Sequence, residues 1–367
     1  MSAYDYLVVG AGFAGCVLAE RLASQLDKKI LLIDRRSHVA GNAFDSYDDH
    51  GILIHNFGPH IFHTNNEGVF QYLSQFTEWR PYEHRVLSSV SGKLVPIPIN
   101  RKTVNDLFEL ELKSDADVSS FFDRERVPVT AVTNSENFVV SRVGRRLYEL
   151  LYRGYTTKQW GLEPKDLSPS VCGRLPIRTN VDDRYFDDRY QAMPKNGYTE
   201  MFKRMIAHPN IELALGTEFR DMRAVKFNKL IFTGPIDEFF NFTYGKLPYR
   251  SLRFEFDTLD REYVQPVAII NYPNTHAYTR TVEFKHLTGQ VHPKTTISRE
   301  YPMAESDPYY PVPRPENAEL YQRYKRDADK LRSVIFVGRL ASYQYYNMDQ
   351  VTAQSLAVFE RIARGDL

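Results

Sequence analysis

The chain has 367 residues, 43% of them hydrophobic and 25% charged, which allows two or three domains of about 150 residues and a substantial core. Its 47 Lys and Arg stand against 46 Asp and Glu, a formal net charge of +1, so neither nucleic-acid binding, nor membrane-surface binding, nor disorder is expected. Two cysteines, Cys16 and Cys172, can supply neither a disulfide framework nor a cysteine-rich zinc site.

The N-terminus, Met1-Ser2-Ala3-Tyr4-Asp5, has no basic segment leading into a long apolar one. No apolar run approaches about 18 residues, so no signal peptide or membrane span is expected and the cytosol is the default location. Tyr6–Val9 is an apolar strand, followed at once by Gly10-Ala11-Gly12-Phe13-Ala14-Gly15. Val17, Leu18, Leu22 and Leu26 then have helical spacing, and a second strand, Ile30–Ile33, ends at Asp34. This is a strand–turn–helix–strand unit.

The segment from Gly51 to Thr64 reads as loop. Helical patterns follow over Thr103–Leu112, Val118–Phe122 and Glu136–Tyr152. Gly161 to Pro176 is broken by glycine and proline and reads as a mobile loop. Asn228–Thr233 is a buried strand leading through Gly234-Pro235 to a short helix, Ile236–Phe240. Arg253–Phe256, Val267–Asn271 and Thr279–Phe284 alternate as antiparallel strands. Strand Val334–Val337, Gly338 and a helix from about Met348 to Ala363 close the chain.

In this context the three glycines have separate tasks. Gly10 makes the tight turn, Gly12 lets a pyrophosphate approach the backbone, and Gly15 permits close helix–strand packing. The helix start offers N–H donors to phosphate, and Asp34 can accept from a ribose diol. Two later strand–glycine pieces, Thr233-Gly234-Pro235 and Val337-Gly338-Arg339, return to the same domain. A cofactor wrapped by such separated segments suits the long FAD better than NAD, whose enzymes present successive βα units.

The 24 Tyr and 23 Phe suit a large ligand with rings and hydroxyls. Tyr152, Tyr155 and Trp160 are either core or a stacking shelf for a nucleobase. Arg174, Arg178, Arg184 and Arg189 form a solvated face or, on a mobile loop, capture a diphosphate by the planar guanidinium fork. His55, His60 and His63 lack a carboxylate or thiolate at ligand spacing, so no metal is expected. They are structural, or one lies against a cofactor ring. P-loop, HExxH, GxSxG and CxxC signatures are absent.

Several stretches together resemble the bacterial UDP-galactopyranose mutases. They are the N-terminal fingerprint, Ala40-Gly41-Asn42-Ala43, Gly58-Pro59-His60-Ile61-Phe62-His63-Thr64 and Gly154-Tyr155-Thr156-Thr157-Lys158-Gln159-Trp160. Further along come Tyr185–Gln191, Thr233–Asp237, Tyr249-Arg250-Ser251-Leu252, Asp307–Pro311 and Gly338-Arg339-Leu340 through Tyr345–Gln350. The resemblance is close to full-length. It implies an α/β fold in which a Rossmann-like FAD-binding domain carries an inserted helical bundle and an antiparallel β-sheet domain. We place the FAD domain at 1–80, 195–245 and 318–367, the helical domain at 100–165, and the sheet domain at 81–99, 166–194 and 246–317, with a mobile loop at 166–178.

The implied activity is non-redox interconversion of UDP-galactopyranose and UDP-galactofuranose with reduced FAD, by a cytoplasmic homodimer whose flavin is reduced by NAD(P)H or another donor. By resemblance Arg174 and Arg280 bind the diphosphate, and His60 sits beside the flavin. Tyr155, Thr156 and Trp160 form the uridine side, and Tyr185, Tyr310 and Tyr345 contact phosphate. Arg250, Asn271 and His84 are further substrate-side candidates. Flavin-side candidates are Gly10, Gly12, Phe13, Ala14, Gly15 and Asp34, with Arg35, Asn42, Ile61, Arg339, Met348 and Asp349. Two departures stand out: Asn347 where many members have Asp, and His84 where some have Asn. Pyranose and furanose share one oxidation state and no protein nucleophile sits in a recognisable motif, so flavin N5 is expected to attack the anomeric carbon. An amine-oxidase-like oxidoreductase, a Rab-GDI-type binding protein and a mutase accepting UDP-N-acetylgalactosamine remain alternatives.

Overall fold

The structure, a computed structural model, describes residues 3–304 and 306–367. Met1 and Ser2 of the N-terminal stretch read above, and Glu305, lie outside the described residues. A five-stranded parallel sheet is ordered Ile211–Leu215, Ile30–Asp34, Tyr4–Val9, Phe227–Phe232, Val334–Phe336. Its strands come from the beginning, middle and end of the chain. Because side chains alternate across a strand, Val8, Leu32 and Ile231 face helices Phe13–Leu26 and Met348–Arg364. Leu7, Leu31, Ile33, Leu230 and Phe232 fill the opposite face.

A seven-stranded sheet runs Tyr310–Pro311, Tyr249–Leu259, Thr295–Met303, Arg280–Glu283, Ile269–Asn271, Val86–Val90, Lys93–Ile97. All its pairings are antiparallel save one: Ile269–Asn271 lies parallel to Val86–Val90. The segment read as loop before Thr64 contains strands Leu53–His55 and Phe62–Thr64. At three residues each, they are too short for alternation to show in sequence. The second pairs with Tyr190–Pro194, which also pairs with Trp79–Pro81.

Helices Arg101–Phe108, Asp115–Glu125 and Ser135–Leu147 open at Asn100, Ser114 and Asn134, each side chain accepting from a first-turn N–H. Such caps are worth about 1 kcal/mol each. A wider turn, Tyr148–Arg153, leads into helix Gly154–Trp160. The bundle shares its core with the hairpin through Val90, Val95, Ile97 and Ile99. Among the elements not read from the sequence are helices Glu67–Leu73, Tyr198–Met205 and Pro315–Ala328 and strands Val86–Val90, Lys93–Ile97, Tyr190–Pro194 and Ile211–Leu215. Among the described residues, no helix is long and apolar enough to cross a membrane.

Candidate active site

The glycine turn forms the floor of the first cavity. Gly10 has φ +104°, and a Cβ there would meet Thr233 Oγ1 at 2.0 Å. A Cβ on Gly15 would lie 1.9 Å from the Gly10 carbonyl, so this residue packs helix on strand and does not line the cavity. Gly12 differs: its Cβ would find Gly41 at an ordinary 3.6 Å, leaving the glycine to serve the approach of a ligand. The cavity, about 250 Å³, is lined by Gly10, Gly12, Phe13, Ala14, Asp34 and Arg35. Asp34 accepts from the backbone N–H groups of Ala11 at 2.8 Å and Arg36 at 2.9 Å, which fixes its carboxylate at the strand end. Arg35 reaches Asp307 at 2.9 Å.

A second cavity, about 540 Å³, adjoins the first. Asn42, His60, Arg339 and Met348 line both, so the two are continuous, and Ile61 lines the larger one. One wall is the helix carrying Tyr155, Thr156, Gln159 and Trp160. Trp160 packs edge-on to Tyr310 at 5.4 Å and Tyr345 at 6.0 Å. It is buried, while Tyr155 is half-buried. Gln159 donates to the Tyr310 hydroxyl. Asn271, Arg280, Tyr185 and His84 line the cavity as well, the first two from the sheet.

Guanidinium groups dominate the field. Arg280 lies opposite Glu300 in the sheet register, and its Nε donates to Glu300 Oε2 at 2.7 Å. Glu300 is fully buried, and its other oxygen has no partner among the described residues. Burial pushes its carboxyl up, with Arg280 pulling it back; the guanidinium itself stays charged. Arg339 spends its N–H groups on the carbonyls of Tyr346 and Tyr309, and among the described residues no carboxylate pairs with it. Arg174 projects from the loop, donates to Asn347 Oδ1 at 2.8 Å and stacks 4.1 Å over Tyr345. Burial alone would raise the Tyr345 phenol, yet Arg174, Arg339 and Arg280 bring it below its ordinary value. The region is built for an anion.

His60 and His84 are neutral here. Burial, helped by nearby cations, pushes His60 and His84 down to about 3. His60 Nδ1 is held 2.8 Å from the Gly58 carbonyl, and His84 Nδ1 lies 3.1 Å from the Tyr82 hydroxyl. His63, also on the cavity wall, pairs with Asp188 at 2.7 Å and stacks on Phe186.

Three expected site residues lie outside both linings. Besides Gly15, Arg250 directs its guanidinium to the carbonyls of Gln159 and Lys158, at 3.0 and 3.5 Å, and so ties down the end of the wall helix. Asp349 accepts from Thr64 Oγ1 at 2.9 Å beneath the cavity floor. Arg178 bridges the Asp182 and Arg184 carbonyls and Asp187, a structural task. The loop is anchored by buried Leu167 and Cys172, with Arg174 at its exposed tip. Sequence reading missed Glu300, Gln159 and the acceptor role of Asn347. An acidic residue at an inward position of an alternating strand was the available signal for Glu300.

A parallel-sheet domain with a glycine cradle that opens into an arginine-lined, aromatic cavity defines a Rossmann-like dinucleotide-binding protein with an adjoining site for an anionic ligand. Residues 8–76 match the NAD(P)-binding Rossmann-like domain, and residues 150–345 match the UDP-galactopyranose mutase family. A probable UDP-galactopyranose mutase of Klebsiella pneumoniae is 37% identical over 362 residues, 97% of this chain and 94% of the relative. The dTDP-fucopyranose mutase of Escherichia coli is 33% identical over 356 residues, 94% of each. The fold of a reduced UDP-galactopyranose mutase superposes with TM-score 0.79 over 99% of this chain and 96% of that one, at 16% identity. The chain belongs to the UDP-galactopyranose mutase family. Membership does not favour the oxidoreductase alternative.

Proposed function

We propose that the protein interconverts UDP-galactopyranose and UDP-galactofuranose by a ring contraction without net redox change, with FAD as its resident cofactor. The observation that carries this reading is the continuity of the glycine cradle with a cavity ringed by Arg174, Arg280 and Arg339. The residues present fit FAD. Gly12 leaves room for a pyrophosphate, Asp34 stands at the strand end for a ribose, and His60, Arg339 and Met348 lie where the two cavities meet. Reduced FAD supplies a nucleophilic nitrogen, N5, for the anomeric carbon.

The chain's own residues do the rest. Arg280, held by Glu300, and Arg174, swung in on its loop, bind the diphosphate and stabilise the charge that develops as UDP leaves. Tyr155 and Trp160 receive the uridine, and Tyr185, Tyr310 and Tyr345 surround the phosphates. Asn271 Oδ1, without a partner among the described residues, is an acceptor for a sugar hydroxyl. His60, neutral with Nδ1 engaged, fixes the posture of the ring edge without adding charge. Closure of the loop excludes water from the reacting centre. A cytoplasmic homodimer reduced by NAD(P)H is the setting this activity calls for.

Chemically reduced, flavin-replete protein incubated with UDP-galactopyranose should give a furanose product by chromatography, with no reductant consumed per turnover. No conversion would overturn the reading. Replacement of the cofactor by 5-deaza-FAD, which lacks N5, should abolish activity; full activity would rule out that nucleophile. The Escherichia coli relative supports a second reading, dTDP-fucopyranose as substrate, decided by comparing kcat/KM for the two nucleotide sugars.

A further inference from the structure

The helix Gly154–Trp160 presents Tyr155, Thr156, Gln159 and Trp160 to the larger cavity, but Lys158 points away from it. Its ammonium donates to the Tyr272 carbonyl and lies 3.0 Å from that of Thr275, 3.2 Å from Tyr278 and 3.3 Å from His276. Three N–H donors are thus shared among four backbone carbonyls, and no carboxylate pairs with the charge among the described residues. The four carbonyls belong to one short segment, and His276 in it takes a left-handed φ of 58°. That segment joins the strand ending at Asn271 to the strand starting at Arg280.

A second contact joins the same two pieces. Asn274 Nδ2 donates to the Leu150 carbonyl at 2.9 Å. A Cβ on Gly154 would come within 2.5 Å of both the Pro273 carbonyl and Asn274 Oδ1. The helix start therefore sits flush against the loop while Lys158 grips it one turn later.

The geometry points to Lys158 as a positioning residue: its four-carbonyl grip sets the spacing between the aromatic wall at Tyr155 and Trp160 and the Asn271–Arg280 wall of the same cavity. This rests on the proposal that the cavity takes a UDP-sugar, whose base would meet the helix wall and whose diphosphate would meet the sheet wall. A ligand touching both walls depends on that spacing, whereas a ligand touching one does not. Lysine suits the task because its ammonium turns its donors freely toward carbonyls on several sides. The planar fork of arginine cannot converge on them in this way.

The test compares uridine with UDP by calorimetry on the flavin-loaded protein. Lys158→Met keeps the stem and removes the donors. It should weaken UDP binding by about tenfold and leave uridine binding unchanged, because a small misplacement is felt only by a ligand spanning both walls. Lys158→Arg should fall between the two. Gly154→Ala wedges the same joint by a different route, should show the same selective loss, and decides the question if Lys158→Met does not fold. Equal UDP affinity in Lys158→Met or Gly154→Ala and the unaltered protein overturns the proposal, as does parallel loss of uridine and UDP. Failure of the unaltered protein to bind UDP overturns the nucleotide-sugar reading, and the positioning role falls with it.

Discussion

On the proposed reading Arg174 captures the diphosphate of the substrate, and its surroundings suit it to that task. It is exposed, bonded to a neutral acceptor, Asn347, and stacked on Tyr345. A diphosphate can replace the amide acceptor without breaking an ion pair. Arg174→Ala should lower turnover by about a hundredfold or more while leaving the dinucleotide bound. Arg174→Lys should also be poor, since an ammonium lacks the fork. Near-normal turnover in both variants would remove Arg174 from the mechanism. Tyr155 offers a separate check on base recognition. Tyr155→Ala should weaken UDP binding by about 1–3 kcal/mol if the ring stacks on uracil. An equal fall in unfolding temperature without ligand would assign the ring to packing. Both residues were legible from the sequence. Glu300 was missed: its inward position in an alternating strand was a signal, but its pairing with Arg280 comes from a cross-strand register that only the folded sheet supplies.

Among elements, the strand–turn–helix at the N-terminus was the most legible, since its glycines leave one backbone path. Gly10 and Gly15 are required by the fold itself, each close to another atom of the chain, but Gly12 is not. Gly12→Ala should therefore fold with an unchanged unfolding midpoint after cofactor removal, yet bind the dinucleotide about tenfold more weakly or worse, because the methyl group intrudes on the pyrophosphate. Flavin absorbance per protein, followed by titration of the stripped protein, measures this; full loading at normal affinity would sink it. Elsewhere the sequence said less. The helix Pro315–Ala328 is strongly charged, buries Asn317, Tyr324 and Ala328 along one side, and shows no clear apolar stripe. The parallel pairing of Ile269–Asn271 with Val86–Val90 joins segments far apart in the chain, beyond the reach of periodicity. The resemblance offers Arg250 as a substrate-side residue, whereas in the fold its guanidinium meets helix-end carbonyls.

At the scale of the whole molecule, His55 and His84, which are buried, and His60, on the cavity wall, weigh on acid stability. His55 is pushed down to about 4 by burial, and His60 and His84 to about 3 by burial and neighbouring cations. Unfolded, each would titrate near 6.5. Between these values the unfolded chain binds protons that the folded chain refuses, so stability rises with pH through the window. It is fully present above about pH 6.5 and is lost as pH falls toward the folded values. Three such groups give a limiting slope of about 4 kcal/mol per pH unit. Burial also raises the carboxyls of Asp45, Asp237 and Glu300, which act in the opposite sense above the ordinary carboxylate range. The histidines are displaced furthest from their ordinary value and set the sign of the slope as the pH falls below about 6.5. His55 accepts from the His60 backbone N–H at 3.1 Å and packs on Tyr198 and Phe284. His55→Gln keeps an acceptor and removes one titration. Urea unfolding followed by fluorescence should show stability falling between pH 6.5 and 5, with the slope reduced by about a third in the variant. A flat profile in the unaltered protein, or an equal slope in both, would show that His55 is not buried neutral.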